Sequence, residues 1–368
     1  MRSRSISFFT VLAAIALATI PSPLWAMAIP EEPAGAETIE VVDALNRTVV
    51  LTGTPQRIVT AGRAVLMIAD ALYTFPSAAG HLVGVGRIDQ GRGNFLREID
   101  AAYDEKTILQ QNVGPEQIAA LRPDLVILKT FMRESLGSSL EQIGIPVLYV
   151  EFETPGQYQR DLATLGAITG DAARAAELQA FFRDRETEIT SVTDELSAGD
   201  RPSVLFLYVQ PGDNGMSFSV PASTWIQTEL VRMAGGEPVW TTDIQGGGWN
   251  RVNLEQVLSW NPEVIFLVSY RNDIQSITGE LAANPLVGRL QAFEEGRVYP
   301  MPVDFYAWDQ PDVRWVLGLR WMASKLHPEL VSPESMRESV YSFYDRLYEM
   351  DRGTTDRVIF SLLQGTID

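Results

Sequence analysis

Residues 252–266 read VNLEQVLSWNPEVIF, and residues 113–127 read VGPEQIAALRPDLVI. The Glu-Gln pair, the Pro-acid step and the closing apolar run stand at identical offsets in both. Each stretch describes a short helix running into a strand. One such unit in each half of the chain implies two lobes of like design.

Further strand-like runs lie on either side. The first half carries Arg57–Thr60, His81–Val85, Leu125–Leu128 and Pro146–Val150; the second carries Val204–Tyr208, Val264–Val268 and Val298–Met301. Short continuous apolar runs separated by helix-like text mark parallel sheets covered on both faces. The expected fold class is therefore α/β. Before the first run, Ile39–Leu51 alternates around Asp43–Arg47 and predicts a β-hairpin.

Between the halves lies a long helical stretch. Asp171 can cap a helix in which Leu178, Phe182, Ile189, Val192 and Leu196 form one apolar face over roughly 39 Å at 1.5 Å per residue. Its end at Gly199-Asp200-Arg201-Pro202, just before a new strand, marks it as a connecting strut. The expected organisation is a signal peptide over 1–28, an N-terminal α/β lobe over 39–157, a connecting helical segment over 158–198, a C-terminal α/β lobe over 200–330 and a helical tail over 331–368.

The signal is read from Arg2 and Arg4, the apolar stretch Ile6–Ile20 and the small-residue triplet Ala26-Met27-Ala28. No cysteine occurs in the 368 residues, which excludes disulfides, thiolate metal sites and lipid attachment through a lipobox cysteine. A periplasmic location follows as an expectation. Removing the signal takes away two of 29 basic residues and none of the 47 acidic ones, so the mature charge is 27 − 47 = −20. Such a balance argues against nucleic acid as a partner and makes arginines gathered in a cleft conspicuous.

Catalytic machinery is not visible. There is no G-x-S-x-G elbow and no G-x-x-x-x-G-K-[ST] loop, and two histidines, His81 and His327, leave little for a triad or a direct metal site. The expectation is a non-enzyme with no cofactor and no resident metal.

Asp43 and Arg47, the Pro55–Val59 stretch, the Val83-Gly84-Val85 strand and the two Glu-containing repeats together resemble the substrate-binding proteins of ABC importers for iron complexes, haem and vitamin B12. The likeness covers residues from about 39 to 330. It implies two Rossmann-like lobes joined by a single long α-helix, with the ligand cleft between them and little closing motion. It implies a monomer whose partners are a small-molecule metal complex and an ABC permease dimer with its ATPase subunits. It also places Glu116 and Glu255 where the family docks on permease arginines, one carboxylate per lobe.

In open α/β sheets, ligands lie beyond the carboxyl ends of the strands. The loops there supply Arg63, Arg87 and Lys129 in the first lobe, and Tyr208, Trp249, Arg271, Tyr306 and Trp308 in the second. The resemblance puts Trp249 where the vitamin B12 branch presents a ring, and Lys129 where that branch has a tryptophan. A corrin loses part of its aromatic floor by this exchange, and arginines suit carboxylate, catecholate or oxyanion oxygens. An anionic iron(III) complex of siderophore type is the expected ligand. The segment Phe305–Lys325 resembles the branch that includes molybdate and tungstate binders, so an oxyanion is the rival, and a periplasmic sensor uncoupled from transport is a third reading.

Overall fold

The computed structural model describes residues 38–88, 91–212, 215–332 and 336–367. The signal-peptide reading therefore lies outside the described residues. A hairpin of β1 (Thr38–Val42) and β2 (Thr48–Thr52) opens the chain, antiparallel with Val41 opposite Val49.

The first lobe holds a five-stranded sheet in the order β5-β4-β3-β6-β7, made of β3 (Ile58–Thr60), β4 (Leu82–Gly86), β5 (Thr107–Leu109), β6 (Leu125–Lys129) and β7 (Val147–Val150). Every pairing is parallel. All residues of β6 and β7 are buried, as unbroken apolar text requires of strands covered on both faces. β5 was not visible as an apolar run, because Thr107 and Ile108 of this edge strand are exposed.

The second lobe is less uniform than the sequence suggests. Its main path is β11-β9-β8-β12-β13, with β8 (Ser203–Gly212), β9 (Gly215–Val220), β11 (Asn250–Val252), β12 (Val264–Val268) and β13 (Val298–Pro300), while β10 (Glu237–Pro238) pairs with the start of β8. β8, β12 and β13 are parallel, but β9 pairs antiparallel with β8, and β11 antiparallel with β9. The sheet is mixed because β8 outruns its apolar core Val204–Leu207 and turns directly into β9, a hairpin that needs no helical crossover.

Helix α1 (Val65–Tyr73) follows β3, α2 (Phe95–Ile99) follows β4, and α3 (Pro115–Ala119) carries Glu116 in its first turn. Two helices join the lobes. In α4 (Pro155–Thr169), the Thr154 side chain caps the first turn and Gly170, at φ 72°, ends the helix. α5 (Ala172–Thr193) starts at once, with Asp171 accepting from the Arg174 backbone at 3.0 Å. At 1.5 Å per residue its 22 residues span about 33 Å. It stops three residues short of Leu196, where Arg201 donates to the Thr193 carbonyl at 2.7 Å.

Beyond α5 come α6 (Ile226–Met233), α7 (Leu254–Trp260), α8 (Trp315–Leu326) and α9 (Met336–Tyr348). The Trp315 ring of α8 stacks on Phe182 of α5, with centroids 5.8 Å apart at 15°. Trp315 and Trp321 are both core residues.

The lobes are also welded by a buried charge cluster. Arg314, fully buried, bonds Asp70 of α1 and donates to Asp304 at 2.9 Å, with Asp312 at 3.6 Å. The rings of Phe95 and Tyr306 each lie 4.9 Å from its guanidinium carbon. Tyr344 of α9 donates to Asp304 at 2.6 Å, and Tyr348 reaches the Asp70 carbonyl at 3.3 Å. The tail thus packs on both lobes.

Candidate functional site

The loops at the carboxyl ends of the parallel strands face one another across the lobes and enclose three adjoining hollows. The first, about 330 Å3, takes Arg63, Phe131 and Glu153 from one lobe and Trp225, Gln227, Trp249, Tyr270 and Gln310 from the other. A second, about 290 Å3, shares Arg63 with it and adds Arg87 and Arg271. The third, about 340 Å3, shares Tyr270, Gln310 and Arg271, and adds Arg92 and Asp273. One wall is aromatic and the next is basic.

Local backbone explains how Arg63 reaches this place. Gly62 at φ 85° and Ala64 at φ 57° bracket it, a left-handed pair that costs the non-glycine member free energy. The turn lifts the guanidinium over the Phe131 ring at 5.4 Å and ends at the N-terminus of α1. Arg63 and Arg271 have no carboxylate partner among the described residues. Arg271 still acts at a distance: burial raises the Tyr208 phenol pKa, and the arginine's charge opposes that rise.

Trp249 sits at the end of the Gly246–Gly248 loop, where Asn250 donates to the Gly248 carbonyl at 2.9 Å and Gly248 takes φ 77°. Around it lie Tyr208 at 5.0 Å, Trp225 at 5.8 Å and Tyr270 at 6.0 Å, ring to ring. These rings hold Trp249 half-buried with a face left to the hollow.

Four expected site residues take other places. Lys129 is fully buried and its ammonium bonds Glu153 at 2.9 Å. It neutralises the one carboxylate of the aromatic hollow, so Arg63 sets the sign of charge there. Tyr306 and Trp308 are fully buried in the Arg314 cluster: Tyr306 accepts from the Phe95 backbone at 3.3 Å, and the Trp308 indole donates to Asp304 at 2.9 Å. A polar tip satisfied inside the core is the ordinary fate of a buried Tyr or Trp. Tyr208 stands behind Trp249 as support and is not a wall of any of the three hollows.

Trp225, Phe131, Gln227 and Gln310 were not singled out from the sequence. Trp225 follows β9, a strand whose alternating text MSFSV carries no apolar run, so no loop was expected there. Behind the wall, Asp309 is fully buried and desolvation pushes its carboxyl up to about 6, against hydrogen bonds from Tyr270 at 2.6 Å and Gln227 at 3.3 Å. No group of three or more His, Asp or Glu able to hold a metal ion occurs among the described residues.

Glu116 and Glu255 are exposed and occupy equivalent places, each in the first turn of the helix that precedes a central strand. Gln256 and Asn253 close a capping box, while at Gly114, which has no side chain, only the Gln117 half is present, its Oε1 accepting from the Gly114 backbone at 3.2 Å. The repeat seen in the sequence is thus a repeated surface feature.

The family model for periplasmic binding proteins matches residues 62–304. A cobalamin-binding protein of Halobacterium salinarum is 26% identical over 87% of this chain and 84% of its own length. The Fe(3+) dicitrate-binding periplasmic protein FecB of Escherichia coli is 27% identical over 71% of this chain and 81% of its own. Among solved structures, the molybdate-bound periplasmic protein MolA of a Haemophilus influenzae ABC transporter superposes with a TM-score of 0.67, at 19% identity, over 85% of this chain and 98% of that one.

Proposed function

Since the chain belongs to the periplasmic binding protein family, we propose that it is the solute-binding component of an ABC importer, capturing an anionic iron(III) complex in the cleft between its lobes. The observation that carries this reading is the junction of the aromatic hollow of Trp225, Trp249 and Tyr270 with the basic hollow of Arg63, Arg87 and Arg271. Rings offer apolar contact to the organic chelator, and guanidinium groups offer paired hydrogen bonds to its carboxylate or catecholate oxygens. The two adjoining hollows, about 330 and 290 Å3, fall within the range for ligand sites.

The test is tryptophan fluorescence of the protein titrated with ferric citrate, ferric siderophores, haemin, cobalamin, molybdate and tungstate. Saturable quenching by ferric complexes is expected. Saturation by molybdate or tungstate alone would overturn the iron reading in favour of oxyanion binding, a rival supported by the similarity to the molybdate protein.

Delivery belongs to the same proposal. Glu116 and Glu255 present one carboxylate per lobe to a permease pair, with Arg63 and Trp249 in the cleft between. The double variant Glu116→Ala/Glu255→Ala is expected to keep its affinity in the titration and to lose at least about tenfold in uptake of the bound complex into cells. Undiminished uptake would mean that the carboxylates do not dock, and would favour a sensor.

A further inference from the structure

Two glutamines on the wall of the aromatic hollow are buried with amide atoms left unbonded. Gln227 is 4% exposed and Gln310 3%, yet Gln227 Oε1 and Gln310 Nε2 have no protein partner. The first of these is imposed from behind. Asp309 Oδ2 accepts from the Tyr270 hydroxyl at 2.6 Å and from Gln227 Nε2 at 3.3 Å. A carboxylate can only accept, so the amide nitrogen has to face Asp309 and the carbonyl oxygen has to face away from it. Leaving a buried acceptor unpaired is costly, and a ligand that supplies the missing partner recovers that cost.

We propose that Asp309 is a positioning residue that, by orienting Gln227, makes the cleft select complexes carrying an O–H or N–H on their outer face over proton-free tetrahedral oxyanions. The inference rests on the cleft being the solute site. Gln227 Oε1, oriented by Asp309, requires a donor from the ligand, whereas the Gln310 amide, tied to no protein partner, can turn to meet either a donor or an acceptor. Molybdate or tungstate at neutral pH supplies acceptors alone. A chelate with a free hydroxyl, a protonated carboxyl or an amide supplies both. Rejection of a ligand that leaves a buried polar group unpaired is a strong form of discrimination.

The experiment is calorimetric titration of the wild type, Gln227→Met and Asp309→Asn with an amide-bearing ferric catecholate, an amide-bearing ferric hydroxamate and tungstate. Methionine keeps the length of the side chain without a comparable acceptor. Asparagine keeps the shape of Asp309 but can donate, which lets the Gln227 amide reverse. Both variants are expected to bind the iron complexes at least about tenfold more weakly and tungstate within about twofold of the wild type. Unchanged affinity for the complexes, or a parallel loss for tungstate, overturns the inference while leaving solute binding intact. The wild type alone provides a reading that needs no folded variant: at least one iron complex binds about tenfold or more tighter than tungstate, and the reverse order overturns the proposal. A wild type that binds none of the three probes overturns the solute reading and this inference with it.

Discussion

Replacing Arg314 by methionine is expected to cost about 3 to 5 kcal/mol of folding stability, enough to abolish most of the margin of an ordinary domain. The guanidinium is fully buried and sits among Asp70, Asp304 and Asp312, which are fully buried as well. Methionine fills similar volume, so the loss is one of charge: three carboxyls lose the only cation that the cluster holds among the described residues. Desolvation already pushes the Asp70 carboxyl up to about 6, although Arg314 pulls it down, and Asp312 is driven up for the same reason.

The pH dependence identifies the cause. A carboxyl whose pKa is higher in the folded protein than in the unfolded chain favours folding below its unfolded value near 4, and that contribution is lost as pH rises through about 6. Without Arg314 the folded values rise further, so the variant should melt much earlier than the wild type at pH 7 and recover part of the deficit at pH 4 to 5. Thermal denaturation across pH 4 to 8 measures this. A deficit independent of pH would mean that lost packing with Phe95, Tyr306 and Tyr344, not charge, holds the site together. Because Asp70 belongs to the first lobe and Asp304 to the second, the same variant is expected to loosen the lobes relative to each other, visible as increased amide exchange in α1 and α9.

Replacing Trp249 by alanine is expected to weaken binding of an organic iron complex by roughly 1 to 3 kcal/mol, or about 5- to 150-fold in Kd. The indole is half-buried, so its burial is completed only when a ligand covers it. Tyr208, Trp225 and Tyr270 hold it in place from three sides, which limits the ordering that binding must impose. Tungstate would lose far less, since it contacts through hydrogen bonds and offers no apolar face. Fluorescence titration reports both values, with the remaining tryptophans as signal. Equal losses for a ferric chelate and for tungstate would show that Trp249 shapes the loop rather than covering the ligand.

The sequence determined the architecture where the signal is local and continuous. β6, β7, β8 and β12 were legible because a strand buried on both faces must be written as unbroken apolar text. The 113–127 and 252–266 repeat fixed two lobes and put Glu116 and Glu255 at matching helix starts. Arg63, Arg87, Trp249 and Arg271 could be placed at the cleft because loops at strand ends have a fixed side in a parallel sheet.

What tertiary structure alone decided is which polar groups meet each other. Lys129 closes β6 at the strand end where a ligand contact would lie, yet a buried ammonium must be paired, and Glu153, 24 residues away, takes it. Tyr306 and Trp308 read as a loop offering rings to a ligand; the Asp304 and Arg314 cluster draws them inside, because its buried charges need those donors and ring faces. The tilt of Gln227 is set by Asp309, 82 residues on. Burial and charge pairing are sums over neighbours that lie far apart along the chain, and no local pattern encodes such sums.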